Sequence, residues 1–305
     1  MKKGILLLLM ILPLISFGQR KQARVELVLM GGVSGYAGDV GGDQTKFLSD
    51  HLKKLGPAYG LGARLHITNF MALRGNFNYA VVSGADSLSN HVDRKTRNLS
   101  FQTSLYEGSL LLELSIINWK HLTGERVNSS RGGRANLYVF GGMAFFAFKP
   151  QAYYQDRWYD LQPLGTEGQG IKPNTPKYKL NSSALVMGLG YRYLLGGRWS
   201  LGFEAGIRKT NTDYLDDVSK EYWDNNEIAA TNGGIAAVLA DRSIDSEGNG
   251  IIMPQGNQRG NSKIKDYYGF TQITLAFKLG SDGNSQSYGG GGGGRFRTRN
   301  RCFQF

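Results

Sequence analysis

The sequence predicts an all-β fold, an eight-stranded antiparallel transmembrane β-barrel with long outer loops. Three observations lead to this prediction. Glycine accounts for 43 of the 305 residues, about twice its usual ~7% share, which argues against a helical core. Apolar and polar residues alternate with a period of two along many segments, as in strands whose two faces meet different surroundings. The connections between these segments are short at one end and long at the other, as in outer-membrane barrels.

The first eighteen residues have the composition of a secretory signal peptide. Two lysines precede an apolar run over residues 5–15, and small residues stand three positions and one position before Gln19, as a cleavage site requires. An uncleaved membrane anchor is the weaker alternative, because a spanning helix needs about 20 apolar residues. We therefore expect residues 1–18 to be a cleaved signal peptide and the mature protein to reach the cell outer membrane.

Eight segments show the alternation over about ten residues or more, which is enough to cross a bilayer at a tilt. The clearest example sets Trp199, Leu201 and Phe203 against Ser200, Gly202 and Glu204. The eight predicted strands are 24–36, 58–67, 70–83, 99–117, 136–148, 182–195, 198–211 and 266–279.

Strands two and three are joined at Thr68-Asn69, and strands six and seven at Gly196-Gly197, as in two-residue hairpins. The long connections at the other end are 37–57, 84–98, 149–181 and 212–265. Residues 118–135 form a longer connection on the short-turn side. A soluble β-sandwich is the alternative fold, but it would not need an apolar outer face on nearly every strand.

The polar faces of the strands are expected to point into the lumen. An eight-stranded barrel is just wide enough to be filled by such side chains, so we expect no aqueous channel. The charged residues predicted to fill the lumen are Glu26, Arg64, His66, Arg74, Glu107, Glu113, Arg192, Glu204, Arg208 and Lys278.

The sequence shows little sign of catalysis. Its four histidines are widely separated, Cys302 is the only cysteine, and no Gly-x-Ser-x-Gly motif occurs; these features give no nucleophile, metal or cofactor site. We therefore predict a protein that is not an enzyme and has no cofactor. A barrel enzyme is an alternative, for which His51 and His91 would be placed in outer loops.

The basic excess of the chain, which carries a formal net charge of +12, is concentrated on the periplasmic side. The long loops are close to neutral, with acids grouped around Asp213, Asp216 and Asp217. The periplasmic segments contain only two acidic residues, Glu125 and Asp282. Their Lys and Arg residues are Arg20, Lys21, Arg24, Lys120, Arg126, Arg131, Arg134, Arg198, Arg295, Arg297, Arg299 and Arg301.

This basic side is a candidate docking surface for an acidic protein or an anionic cell-wall polymer; solvated charge without a partner is the alternative. We expect residues 280–305, with six consecutive glycines, to form a disordered tail. Nucleic acid is not an expected partner of an exported protein. The candidate partner-binding residues are Lys120, Arg126, Arg131, Arg134, Arg295, Arg297, Arg299 and Arg301.

Five stretches together carry a family resemblance. Two are long and specific, residues 158–170 (WYDLQPLGTEGQG) and 206–219 (GIRKTNTDYLDDVS), and three are shorter, 35–41 (GYAGDVG), 105–109 (LYEGS) and 258–261 (QRGN). Through them, residues 19–279 resemble the PorG-type barrels of the type IX secretion system.

The resemblance implies a non-enzymatic outer-membrane barrel that anchors a periplasmic ring of secretion proteins, one of them a lipoprotein. The expected partners are therefore outer-membrane lipids and these ring proteins. The arginine-rich tail beyond residue 280 departs from the family pattern, so the resemblance assigns it no role. The alternative function is that of a small structural or adhesion-type outer-membrane barrel that acts through its outer loops.

Overall fold

The computed structural model describes residues 24–41, 54–68, 70–118, 135–196 and 198–279. In this part of the chain the strands are β1 Arg24–Ala37, β2 Gly56–His66, β3 Met71–Ala85, β4 Ser100–Asn118, β5 Ala135–Tyr154, β6 Arg157–Asp160, β7 Asn181–Gly196, β8 Trp199–Thr210 and β9 Tyr267–Leu279. The outer connections contain the helices α1 Val92–Arg97, α2 Asn225–Asn232 and α3 Gly234–Ala240, with 3-10 turns at Asp86–Leu88 and Gln162–Leu164.

Eight of the strands close into an antiparallel barrel. Each pairs with its neighbour in the order β1, β2, β3, β4, β5, β7, β8, β9. The barrel closes where β9 pairs with β1, from Val25 opposite Leu279 at the inner end to Ala37 opposite Tyr267 at the outer end. The predicted eight-stranded barrel is confirmed. The predicted signal peptide, 1–18, and tail, 280–305, lie outside the described residues.

One predicted connection is partly wrong, because 149–181 contains regular structure. Strand β5 continues to Tyr154, and the chain then reverses at Gln155-Asp156 to form β6, which pairs with the outer end of β5. Both turn residues have positive φ, 46° and 60°, as the two central residues of a type I′ hairpin do. The hairpin therefore extends β5 beyond the barrel rim.

The outer face of the barrel is apolar on every strand of the closed sheet. The outward side chains include residues at least 48% exposed, as expected for a barrel whose exterior faces lipid. They are Leu29 on β1, Leu61 on β2, Phe77 on β3, Leu110 on β4, Phe145 on β5, Leu189 on β7, Phe203 on β8 and Ile273 on β9.

Among the described residues, no helix is both long and apolar enough to cross a membrane.

Charged side chains fill the lumen, as predicted. All ten predicted luminal residues are buried or half-buried. Arg74 donates two hydrogen bonds to the Glu204 carboxylate, at 2.5 and 2.8 Å, and the Arg64 Nε donates to Glu113 Oε2 at 2.8 Å. Because each of these buried charges faces an opposite charge at hydrogen-bond distance, the network neutralises itself inside the barrel.

Aromatic rings fill the space beside this network where two glycines of β7 make room. A Cβ at Gly188 would lie 2.4 Å from Cζ of Phe140, and one at Gly190 would lie 2.4 Å from Cζ of Tyr138. Any larger residue at these positions would collide with the rings. The rings of Phe140 and Tyr138 therefore occupy the space beside Gly188 and Gly190 and fill the lumen next to β5 and β7.

Candidate functional site at the outer end of the barrel

The long connections fold together over the outer end of the barrel into a polar assembly, here called the cap, formed by residues 38–41, 86–99, 161–180 and 211–266. Charged loop residues are normally exposed, but in the cap many are less than 9% exposed. These buried residues are Asp39, Asp86, Arg97, Glu167, Asp213, Asp216, Asp217, Arg259 and Asp266. From the sequence, the acids of the fourth loop were only counted toward the charge of the outer side, and the burial of Asp213, Asp216 and Asp217 was not predicted.

Arg97, at the end of α1, joins three of the outer connections. Its Nε and Nη2 atoms each lie 2.7 Å from a different oxygen of the Asp86 carboxylate. Its Nη2 also donates to the carbonyl of Asp39 at 2.7 Å, and its Nη1 donates to the carbonyl of Arg259. Desolvation by burial opposes the charge of Arg97, but the hydrogen bond and charge of Asp86, together with the charges of Asp216 and Asp39, outweigh it and raise the pKa of the guanidinium. Arg97 therefore stays charged as a fixed link.

Arg259 performs the same task between the third and fourth connections. Its Nη1 donates to Glu167 Oε1 at 3.1 Å and to the carbonyl of Asp217 at 2.7 Å, and its Nε donates to the carbonyl of Ala240 at 3.1 Å. The same Glu167 oxygen accepts the backbone N–H of Ser219 at 2.8 Å. One guanidinium thus holds three separate parts of the cap.

Beneath these arginines, a tyrosine hydroxyl lies between two buried carboxyl groups. The Tyr36 hydroxyl is 2.6 Å from Asp216 Oδ2 and 2.8 Å from Asp266 Oδ1. Because a hydroxyl has one proton to donate, two such bonds require that one carboxyl group be protonated. Burial raises the pKa of both Asp216 and Asp266 well above the usual range, and the mutual repulsion of nearby carboxylates adds to this effect.

Two more cap acids titrate close to neutral pH. Burial raises the pKa of Asp213 to about 7, although a hydrogen bond from Ser219 opposes the shift. Burial also raises the pKa of Asp217 to about 6, against the attraction of Arg259. The cap is therefore a buried acid network whose protonation state changes within the physiological range.

The outer surface of the cap carries an open cleft of about 670 Å³ between α1 and residues 253–264. Its lining mixes carboxylates, guanidinium groups and amides, among them Asp39, Arg94 and Asn257. His91, one of the two histidines considered for a barrel enzyme, also lines this cleft; the other, His51, lies outside the described residues. In the part of the chain that the structure describes, no three His, Cys, Asp or Glu side chains are grouped to hold a metal ion.

The eight residues predicted to bind a partner lie outside the described residues. They are Lys120, Arg126, Arg131, Arg134, Arg295, Arg297, Arg299 and Arg301. The strand residues that flank their segments, Asn118, Ala135 and Leu279, are at the inner end of the barrel. The structure therefore leaves the proposed binding role of the eight residues as a prediction.

The stretches that carry the family resemblance meet in space. Residues 35–41, 158–170, 206–219 and 258–261 supply Asp39, Glu167, Asp216 and Arg259 to the cap, while 105–109 supplies Glu107 to the lumen just below. This assembly was not predicted from the sequence, and the composition of the loops gave no signal for it, because aspartate and glycine are ordinary turn residues.

Comparison with known proteins shows distant structural similarity. The chain is similar to the attachment invasion locus protein Ail of Yersinia pestis, solved with the heparin analogue sucrose octasulfate (10% identity, 84% of this chain and 97% of that chain, TM-score 0.34). It is also similar to the Neisserial surface protein A (8%, 84% and 97%, 0.35) and to a major outer membrane protein of Thermus thermophilus (11%, 85% and 100%, 0.37).

No curated protein matches the sequence. Residues 5–234, which make up more than half of the chain, match the family model described as a domain of unknown function, DUF6089. The protein therefore belongs to the DUF6089 family.

Proposed function

We propose that the protein is a non-enzymatic outer-membrane component of a type IX secretion machinery, in which it anchors periplasmic ring proteins, including a lipoprotein, to the membrane. The observation that supports an anchoring role, as opposed to a channel, is that the barrel is closed twice, by the charged lumen and by the cap. A barrel without an open pathway can act only through its two ends and its lipid-facing surface.

The apolar exterior supports the placement in a membrane. Exposed leucine and phenylalanine side chains surround the closed sheet, whereas the arginines and glutamates face inward. In water this arrangement would expose a continuous apolar surface far larger than soluble monomers carry. In the outer membrane the same surface faces lipid chains, with the short hairpins in the periplasm and the cap outside.

The filled lumen argues against transport through the barrel itself. Arg64, Arg74, Glu113 and Glu204 cross-link the lumen from β2, β3, β4 and β8. Above them, Arg208 donates to Glu107 at 3.0 Å, and the Tyr268 hydroxyl donates to the same glutamate at 2.9 Å. A secreted protein therefore cannot pass through this barrel, and a role in secretion must be one of support.

The assignment to type IX secretion rests on the family resemblance. Four of its five stretches supply buried charged residues to one cap network, and the fifth supplies Glu107. The stretches that carry the resemblance thus contain residues that act together in the cap and in the lumen just below it. The basic segments 119–134 and 280–305 would provide the periplasmic contact, since the strands that flank them end at the inner side of the barrel.

The experiment has two arms. In the first, the gene is deleted and the secreted cargo is measured. Loss of export supports the proposal; normal export overturns it, and normal export with loss of surface attachment would instead favour the adhesion-type barrel.

In the second arm, Arg126, Arg131 and Arg134 are together replaced by glutamate, and co-purification with periplasmic ring proteins is measured. We expect weaker co-purification, with the greatest difference from wild type at low salt, because exposed charges are screened over about 8 Å at physiological ionic strength. The matched control replaces the exposed outer residues Lys95, Lys220 and Lys263 by glutamate and should retain the partner. Unchanged co-purification of the inner variant would refute the assigned contact.

A further inference from the structure

Four lysines stand on the outward face of neighbouring strands, just above the apolar exterior. They are Lys149 on β5, Lys179 before β7, Lys209 on β8 and Lys265 before β9, here called the lysine arc. Each has the same strand parity as the lipid-facing side chains below it, such as Phe145 on β5, so each points away from the lumen.

The strand register places these lysines together. Ala147 pairs with Asn181, and the N–H of Phe148 donates to the carbonyl of Leu180, so Lys149 faces Lys179 across β5 and β7. Lys209 pairs with Tyr267, two residues from Lys265. Given the strand register, rise and tilt, Lys209 lies roughly 8–12 Å nearer the membrane centre than the others, a distance that a lysine side chain can span in part by extending upward.

The arc is accessible and has a net positive charge. The Lys149 side chain is 56% exposed and forms an ion pair with Asp160 at 2.9 Å. Lys179 and Lys209 are exposed, and Lys265 is half-buried. Asp160 is set against Lys149, and Lys265 attracts Asp213 and donates to the carbonyl of Ser262 at 3.3 Å. The net positive charge of the arc therefore comes mainly from Lys179 and Lys209.

On the other four strands of the barrel, the described outward positions in register with Lys149 are uncharged. Ser104 pairs with Lys149, and Val81 pairs with Ser104. Pro57 and Val33, which pair with each other, continue the outward positions on β2 and β1. Among the described residues, these paired outward positions carry no charge, although the exposed Lys54 lies just before β2.

We infer that the lysine arc docks the phosphate groups of a phosphorylated lipid headgroup in the outer leaflet. The inference takes from the proposed function only the placement of the barrel in the outer membrane with the cap outside. At that depth the apolar chains end and the headgroups begin, and lysine ammonium groups are effective partners for phosphate. Near an anionic lipid surface, each lysine strengthens binding about fivefold.

The test uses the full chain in phosphatidylcholine nanodiscs doped with bisphosphorylated lipid A, and native mass spectrometry counts the lipid A retained. The quadruple variant K149Q/K179Q/K209Q/K265Q should retain it at least tenfold more weakly. The matched control, K95Q/K172Q/K220Q/K263Q, removes four exposed loop lysines and should bind as wild type does.

Three results would overturn the inference: equal retention by the arc variant, equal retention of lipid A from which both phosphates have been removed, or complete displacement of lipid A by inorganic phosphate. The last result would indicate a site for free anions. Heat-dependent mobility on gels verifies that each variant is folded. Failure of the wild-type barrel to enter the bilayer would instead count against the proposed membrane placement.

Discussion

Replacing Arg259 with methionine should loosen the cap while leaving the barrel intact. Methionine keeps most of the side-chain length but removes the charge and all three side-chain hydrogen bonds, to Glu167, to the carbonyl of Asp217 and to the carbonyl of Ala240. These partners belong to the outer connections, so the loss falls on the cap.

The magnitude follows from the burial of the pair. Arg259 and Glu167 are 2% and 6% exposed, and removal of one partner of a buried ion pair costs about 3–5 kcal/mol. Glu167 keeps the N–H donors of Ser219 and Lys220, which favours the lower value of about 3 kcal/mol. A change of that size raises the population of the open cap more than 100-fold, since about 1.4 kcal/mol corresponds to a factor of ten.

Hydrogen exchange of the purified protein measures this opening directly. The amides of Ser219 and Lys220 should lose about 100-fold in protection, whereas the amides of the strands should not change. The matched control is Arg242→Met in the same connection, because Arg242 has one described side-chain bond, to Ser100 Oγ at 3.2 Å. Wild-type exchange at Ser219 in R259M, or an equal loss of protection in the strands, would refute the reasoning.

Three further predictions concern protonation, the lumen and topology. The raised pKa of Asp213, about 7, means that its favourable contribution is complete below the unfolded value of 3.8 and is lost as pH rises through 7. Protease resistance of the cap should therefore fall between about pH 4 and about pH 7, and Asp213→Asn should flatten that fall; an unchanged slope would exclude Asp213 as the cause. Glu204→Gln leaves buried arginines without their full counter-charge and should lower the free energy of barrel unfolding, measured in urea from vesicles, by about 3 kcal/mol. Because the lumen is filled, the wild-type protein should show no stable porin-scale conductance in planar bilayers. Tags inserted at Asn90 and Asn249, both exposed in outer connections, should be labelled on whole cells, and absence of label would reverse the topology.

The barrel could be predicted from the sequence because the alternation that indicates each strand lies within a short segment of the chain. Two-residue alternation reports the two environments of each strand, and it located all eight barrel strands and their luminal charges. The β5–β6 hairpin was not predicted, because the alternation of apolar and polar residues ends where the hairpin begins. At Lys149, Pro150 and Gln151 the outward positions leave the lipid and become polar, and proline cannot donate a hydrogen bond to the ladder, so the continuing strand resembles a loop.

The cap could not be predicted in this way, because its contacts are not local. Arg97 and Arg259 are 162 residues apart, and Tyr36 and Asp266 are 230 residues apart. Counting charge along a loop cannot distinguish a solvated aspartate from one that a distant arginine or tyrosine buries. The motif stretches marked the right residues, but their meeting point emerged only from the closed barrel.

These long separations also determine when the cap can form during biogenesis. Tyr36 lies at the end of β1, and Asp266 immediately precedes β9, so the two meet only once the first and last strands have paired. Contacts between distant residues form late, because the entropy of closing large loops must be overcome first. In a barrel arrested before β9 pairs with β1, Asp216 and Asp266 would lack the tyrosine that they share. The outer segments of such a barrel would be accessible to proteases. A completed cap is thus present only in barrels whose first and last strands have paired.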